Sequence, residues 1–400
     1  MDKITPISDV VWFQEGPGVR NTQYTTEGVK LLNVANLVDG EVDLSNTNRY
    51  ISEEEAYGKY KHFLVDEGDL IIASSGIKVD YFDKKMGFIK KEHLPLCMNT
   101  STIRFKTLNA DVLDIRYFMY FLKSESFKQQ LAVQITGSAQ LNFGPSHLKK
   151  MSVKMVPMAQ QKEIVHNLSE IDRLISYRQQ QLIKLDELVK SRFVELFGDV
   201  ANSPKYSGVP LGTICSTLSG GTPTTKVPEY YQGDIPWIST PYLGNNHING
   251  SSAKAYITED AIQNSATHLI PANTIMFGIR VGVGKSSIID EPMCANQDIV
   301  ALMGIDTNKY NLLFVKHTLD SYQSHFDSIK KGATILGITT DDLKKVLIPN
   351  VDIGLQNQFA AFVEQTDKSK LAVQQSLEKL ETLKKSLMQQ YFEYNQRRII

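Results

Sequence analysis

The stretch GSAQLNFGPSHLKKMSVKMVPMAQQKEIVHNLSEIDRLISYRQQQLIKLDELVKSRFVELFGDV, residues 137–200, decides the fold because residues 332–395 repeat it without a gap at an offset of 195. The two copies share 17 of 64 positions, where average composition gives roughly four by chance. The identities include Leu148-Lys149-Lys150/Leu343-Lys344-Lys345, Gln161/Gln356, Asp172/Asp367, Gln179-Gln180/Gln374-Gln375, Lys184-Leu185/Lys379-Leu380 and Phe197/Phe392. A period this long exceeds any solenoid unit, so it means two homologous domain-sized modules in tandem. A duplicated chain can fold with internal pseudo-two-fold symmetry and grip a partner that is itself two-fold, of which duplex DNA is the commonest.

Working outward, 400 residues can bury two good cores. The net charge of −1 excludes a polyelectrolyte binder. Residues 1–136 carry 16 Lys/Arg against 19 Asp/Glu, and 200–331 carry 9 against 10, so any nucleic-acid surface must be a local patch. Three cysteines, Cys97, Cys215 and Cys294, stand far apart and suggest neither a disulfide framework nor a zinc site. The N-terminus lacks a signal-peptide core and no apolar run approaches membrane-spanning length. A cytoplasmic protein without membrane contact is expected.

Residues 1–110 read as short strands and turns, with strands at Val29–Val34, Leu64-Val65, Leu70–Ala73 and Thr102–Phe105. A helix is expected over 112–131, then a Gly137-Ser138-Ala139 turn. The second module runs the same way: strand and turn signals in 208–304, a helix near 308–326, Gly332-Ala333-Thr334, and a strand-like Val346–Pro349. Each module ends in a long helix. Alternating steps of four and three give Ile164, Leu168, Ile171, Ile175, Arg178, Leu182, Leu185, Val189, Arg192 and Leu196. The shifted row is Phe359, Val363, Thr366, Lys370, Val373, Leu377, Leu380, Lys384, Leu387 and Tyr391. This is the repeat of a coiled-coil seam, with polar breaks. The plainer alternative is two unrelated amphipathic helices, each packed on its own domain; the matched register argues against it. A fragment of residues 1–200 is expected to pair with its own copy through this seam, weakened by Arg178 and Arg192.

A search for chemistry returns little. Gly282-Val283-Gly284-Lys285-Ser286 evokes a phosphate-binding loop, but Ile279 stands where a Walker A loop needs glycine. A glycine-rich hairpin bringing Lys285 to the surface fits better. No Pro-Pro occurs, so the amino-methyltransferase signature is missing. Asp342-Leu343-Lys344 looks nuclease-like, yet its counterpart is His147-Leu148-Lys149, which fits a repeated structural element. No catalytic centre, metal or cofactor is expected. Binding residues in turn-like places remain: Arg20, Asn21, Ser74, Ser75, Lys78 and Asn99 in module one, and Thr222, Thr224, Lys226, Thr240, Asn245, Asn246, Arg280, Lys285, Asn296 and Gln297 in module two. Arg and Lys suit guanine edges and phosphates; Asn and Gln suit adenine.

Taken in order, these features resemble the specificity (S) subunit of type I restriction–modification enzymes. The second module carries Gly220-Gly221-Thr222-Pro223, Ile235-Pro236-Trp237-Ile238, Tyr256-Ile257-Thr258, Gly284-Lys285, Asn296-Gln297, Gly332-Ala333-Thr334, Ile348-Pro349 and Gln356. It ends in a helix with Leu380, Leu383-Lys384-Lys385 and Leu387. The first is more divergent, with Gly28–Val34, Tyr50-Ile51-Ser52, Glu67-Gly68-Asp69-Leu70, Gly137-Ser138 and Gln161; it lacks the Gly-Gly-Thr-Pro turn and has Glu15-Gly16-Pro17-Gly18 nearby. The resemblance implies an α+β fold. Two β-rich target-recognition domains (1–146 and 200–341) are joined by two long antiparallel coiled-coil helices, with spacers at 147–199 and 342–400. It implies a non-catalytic subunit whose two domains each read one half of a split DNA site. The helices set the spacing and dock two methyltransferase (M) subunits, and restriction/motor (R) subunits join them. A non-DNA coiled-coil scaffold with two β-rich protein-interaction domains, and a nucleotide-dependent enzyme using residues 282–286, are the alternatives.

Overall fold

The computed structural model describes residues 3–77, 79–135, 141–253, 255–332 and 335–393. The chain divides into two units: Met1–Tyr177 with Ser376–Ile400, and Arg178–Gln375. The units therefore cut across the long helices, and each takes half of both.

In the first unit, Leu70–Ala73 is apolar on both faces and all four residues are buried, which places it inside a sheet. The sheet runs Val11–Glu15, Thr102–Thr107, Leu70–Ala73, Met86–Phe88, all antiparallel. A second sheet sets Val29–Leu32 between Leu96–Met98, parallel, and Tyr50–Ile51, antiparallel. The other unit repeats this plan. Its larger sheet runs Ser216–Ser219, Ile299–Met303, Thr274–Gly278, Ser286–Ile289, His247–Ile248, and its smaller one sets Ile235–Ile238 between Ala255–Ile257 and Cys294–Ala295. Leu64-Val65 is not a strand; Leu64 makes only an isolated bridge to Cys97.

The single helix expected over 112–131 is two, Ile115–Lys123 and Glu125–Gln134. Ser124 breaks it: its hydroxyl donates to the Phe121 carbonyl at 2.6 Å and caps the Phe127 amide, stopping one helix and starting the next. The second module breaks likewise at Tyr322, between Leu312–Ser321 and Gln323–Ile329. The Gly137-Ser138-Ala139 turn, and Ala333-Thr334, lie outside the described residues.

Gln161 and Gln356 do one job in both units. Each is fully buried. The Gln161 Nε2 donates to the carbonyls of Val112 and Val156, and its Oε1 accepts the Asp114 amide at 2.9 Å. Gln356 does the same with Lys309, Val351 and the Asn311 amide at 2.9 Å. Asp114 and Asn311 are the N-caps of Ile115–Lys123 and Leu312–Ser321, so each glutamine locks a short helix to the root of a long one. His147 and Asp342 are equally structural. Both accept the amide that opens a short helix, Gly144 to His147 Nδ1 at 3.1 Å and Thr339 to Asp342 at 3.1 Å.

The long helices are Met158–Phe197 and Ile353–Phe392, 40 residues each, or about 60 Å at 1.5 Å per residue. In the first unit the start of one lies against the end of the other, and in the second unit the reverse, an antiparallel pairing. Ile164, Leu168, Ile171, Val189, Phe359 and Val363 are buried, while Leu182, Leu185, Leu377, Leu380 and Leu387 are half-buried. Two of the polar breaks in the seam are interhelical ion pairs: Lys384 Nζ to Asp172 at 2.6 Å, and Lys370 Nζ to Asp186 at 2.5 Å. Asp172 also accepts the Tyr120 hydroxyl at 2.8 Å. At this exposure each pair contributes at most about 1 kcal/mol, so their larger effect is on register.

Aromatic side chains close the cores at the helix ends. Phe197 stacks edge-on against Phe314 at 4.7 Å, with Phe193 and Phe359 alongside. Its equivalent, Phe392, packs on Tyr117 at 5.1 Å and Phe121 at 6.4 Å. The core of the first unit is thus completed from the far end of the chain. Phe392→Ala should cost about 3–5 kcal/mol through lost burial and the cavity left. Amide hydrogen exchange should accelerate in Ile115–Lys123 and leave Leu312–Ser321 protected. Equal loss in both helices, or none in either, would contradict this closure.

Candidate nucleic-acid interface

At one end of the larger sheet in the second unit, four loops converge. Gly220 and Gly221 cross the chain at residues 295–296: the Gly220 amide donates to Ile299 and the Gly221 amide to Ala295. A Cβ on Gly220 would sit 2.2 Å from the Asn296 carbonyl, and one on Gly221 2.3 Å from the Ala266 backbone, so neither position admits a side chain. Trp237 Nε1 donates to the Gly221 carbonyl at 3.0 Å, and the Tyr231 hydroxyl to Pro223 at 2.7 Å, which fixes the following loop. That loop presents Thr222, Thr224 and Lys226 to solvent, with the Thr222 hydroxyl bonded to Gln297 Oε1.

Residues 279–285 form a hairpin between Thr274–Gly278 and Ser286–Ile289, with Gly282 and Gly284 at positive φ. A phosphate-binding loop must open a helix; this one opens a strand. Arg280 and Lys285 are exposed on it. Arg280 Nη1 lies 4.0 Å from Asp298 Oδ1. Thr240, by contrast, is buried, its methyl seated where Cβ atoms of Gly278 and Gly282 would be. Asn246 lies beside the edge strand and donates to Asp367 on the second long helix at 2.7 Å, while Asn245 is exposed.

In the first unit, Arg20 and Asn21 are exposed at a turn over Asn21–Gln23, pinned by Gln23 donating to Glu55 at 2.7 Å and Tyr60 at 3.1 Å. Ser75 is half-buried and donates to the Ser101 hydroxyl at 2.6 Å. Ser74 and Asn99 are buried. Asn99 Nδ2 donates to Asn33 at 2.9 Å and Tyr24 at 3.3 Å, and its Oδ1 accepts the Thr100 amide. Its amide is fully engaged in shaping the loop and is not free for adenine. Lys78 lies outside the described residues.

The two loop clusters share one frame, legible in matched backbone hydrogen bonds. Gly16 donates to Thr102 as Gly220 does to Ile299. Asn99 donates to Leu32 as Asn296 does to Ile238. Ser74 donates to Ser101 as Ile279 does to Asp298, and Ser74 accepts from Phe143 as Ile279 does from Ile338. Gly16, like Gly220, would drive a Cβ into the facing asparagine's carbonyl, here Asn99 at 2.0 Å. So Glu15-Gly16-Pro17-Gly18 is the counterpart of the Gly-Gly-Thr-Pro segment. Sequence reading missed Ser101 and Asp298 as a matched pair because the offset that aligns the helices fails here: loops of different length intervene.

The long helices leave apolar residues in solvent: Leu174, Tyr177 and Leu383 in the first unit, Ile183, Leu188, Val194 and Leu371 in the second. Among the described residues no group of three or more His, Cys, Asp or Glu could hold a metal ion, and no helix is long and apolar enough to cross a membrane. Burial pushes the Cys97 thiol up to about 12 and the Cys215 and Cys294 thiols up to about 11, which disfavours the nucleophilic thiolate near neutrality.

The family model for the type I restriction modification DNA specificity domain matches residues 20–187 and again 205–383. Two relatives are 31% identical: the MjaIX specificity subunit of Methanocaldococcus jannaschii over 156 residues, and the EcoR124I/EcoR124II specificity subunit of Escherichia coli over 164. The aligned stretches cover 38% and 39% of this chain, and 35% and 40% of the relatives' own lengths. Among solved structures, the S subunit of a type I restriction–modification system from M. genitalium aligns over 98% of this chain and 96% of its own, at 15% identity and a TM-score of 0.55. A chain from a study of complex assembly and conformational transition in the type I system aligns over 97% of both, at 15% identity and a TM-score of 0.62. These two share the fold. This chain belongs to the type I restriction modification DNA specificity domain family and carries that domain twice.

Proposed function

We propose that this chain is the sequence-specific DNA-binding subunit of a type I restriction–modification complex. Residues 1–146 and 200–341 are its target-recognition domains, each reading one half of a split, asymmetric duplex site. Residues 147–199 and 342–400 are helical spacers that set the gap and dock two methyltransferase subunits, with restriction/motor subunits joining the complex. The methyl-transfer and ATP-driven chemistry belongs to those partners. The observation that carries this reading is the loop frame built twice, with the backbone hydrogen bonds kept and the exposed side chains changed. A frame held constant under variable side chains suits two readers of two sequences.

The DNA-facing candidates divide by their surroundings. Arg20, Asn21, Thr222, Thr224, Lys226, Asn245, Arg280, Lys285 and Gln297 stand exposed, and Ser75 half-exposed. Ser74, Asn99, Thr240, Asn246 and Asn296 hold the loops in place. The apolar residues left bare along the helices are the docking face for the methyltransferase subunits.

Lys226 and Lys285 are the proposed phosphate contacts. Replacing either with alanine should reduce the slope of log affinity against log salt by about 1 and weaken all sequences alike. A changed base preference with an unchanged slope would move them to base readout. Salt-insensitive binding without sequence preference by the intact complex would favour the scaffold alternative.

The spacer role is tested by length. One heptad inserted into both long helices, after Gln180 and after Gln375, keeps the seam in register and adds about 10 Å, or roughly three base pairs. With the methyltransferase partner, the methylated site should keep both half-sequences and widen its gap by about that number. Full activity with the original gap would contradict the ruler.

A further inference from the structure

The shared frame puts Ser75 and Ser101 of the first unit where Arg280 and Asp298 stand in the second. Ser74 and Ile279 make matched bonds to Ser101 and Asp298, and Ser75 and Arg280 are the next residues along. In one copy two hydroxyls meet at 2.6 Å and close on each other. In the other a guanidinium leans on a carboxylate at 4.0 Å, with the arginine side chain 54% exposed and the aspartate only 15%.

Three features define the surroundings of this arginine. Asn296 Nδ2 donates to Asp298 Oδ2 at 3.3 Å, and the Asp298 amide donates back to Asn296 Oδ1. The carboxylate is thereby fixed before it meets the guanidinium. Gly337 leaves room for the stem, since a Cβ there would sit 2.9 Å from Arg280 Cγ. The aspartate comes no closer than 4.0 Å, to Nη1, and the arginine side chain stays 54% exposed, which leaves the five-donor fork accessible from solvent.

An arginine with a carboxylate beside it is poorly suited to phosphate, because the aspartate repels the same anion that the arginine attracts. Base edges carry no net charge, and a guanidinium pre-set on one side presents the fork that matches guanine N7 and O6. Lys226 and Lys285, exposed nearby, fit the phosphate role better. Building on the DNA-specificity reading above, we propose that Arg280 reads one guanine in the half-site of the second unit, with Asp298 as its positioning residue. The Ser75–Ser101 pair occupies the corresponding place in the first unit and is too short to make that contact, so the two half-sites differ there.

The test uses the full chain with its methyltransferase partner, mapping methylated positions on a randomised duplex library. Wild type should mark a bipartite site with an invariant guanine in one half. Arg280→Ala should relax that position, lowering its guanine preference by about tenfold or more, with the other half-site unchanged as a control for folding. Arg280→Lys should keep a weakened guanine preference, and Asp298→Ala should relax the same position partially. An unchanged preference in Arg280→Ala, or a loss spread evenly over both halves, would overturn the proposal. A wild-type complex that marks no defined sequence would instead overturn the DNA reading on which it rests.

Discussion

Each unit of this chain is completed by a helix segment that lies far away in sequence, and the rest of the structure depends on that constraint. Phe392 enters a core built from residues of the first 170, while Phe197 and Phe359 meet around Phe314 in the second. The helices in turn gain their order from packing, since a mixed polar and apolar helix has little stability alone. Within each unit the sheets and the long-helix segments are therefore one construction, with Gln161 and Gln356 as the buried joints between them.

The polar seam residues give this pairing a direction. Asp172–Lys384 and Asp186–Lys370 share one antiparallel register, with the carboxylates on the first helix and the lysines on the second. If the first helix paired with its own copy in that register, the internal repeat would set Asp172 opposite Val189 and Asp186 opposite Ile175. The lost ion pairs add to any weakening by Arg178 and Arg192 in a dimer of residues 1–200. The second helix, so paired, would keep lysine opposite acid, Lys384 with Asp367 and Lys370 with Glu381. Charge placement therefore disfavours the first helix with its own copy, while the second helix supplies lysines to either partner.

What could be read from sequence follows from how local each signal is. The long helices were legible because a seven-residue repeat is imposed along a straight seam, and duplication printed it twice. The helix breaks at Ser124 and Tyr322 were not, because periodicity continues through them and only a serine hydroxyl or a local turn decides. At the loops, residue type alone could not separate Asn99, whose amide is engaged internally, from Asn245, which stands in solvent. Nor could it pair Ser75 with Arg280, since loop insertions erase the offset that aligns the helices. Three-dimensional hydrogen bonds restore that alignment.

On the proposed reading, a constant frame with exchangeable side chains means that the identity of a recognition domain, and not its position in the chain, sets the half-site read. The most direct measurement replaces residues 1–146 with residues 200–341, so that both positions carry the second recognition domain. Methylation directed by this symmetric chain with its partner should fall on an inverted repeat of the second half-site. Retention of the original asymmetric site, or a folded complex that marks no sequence, would contradict the account.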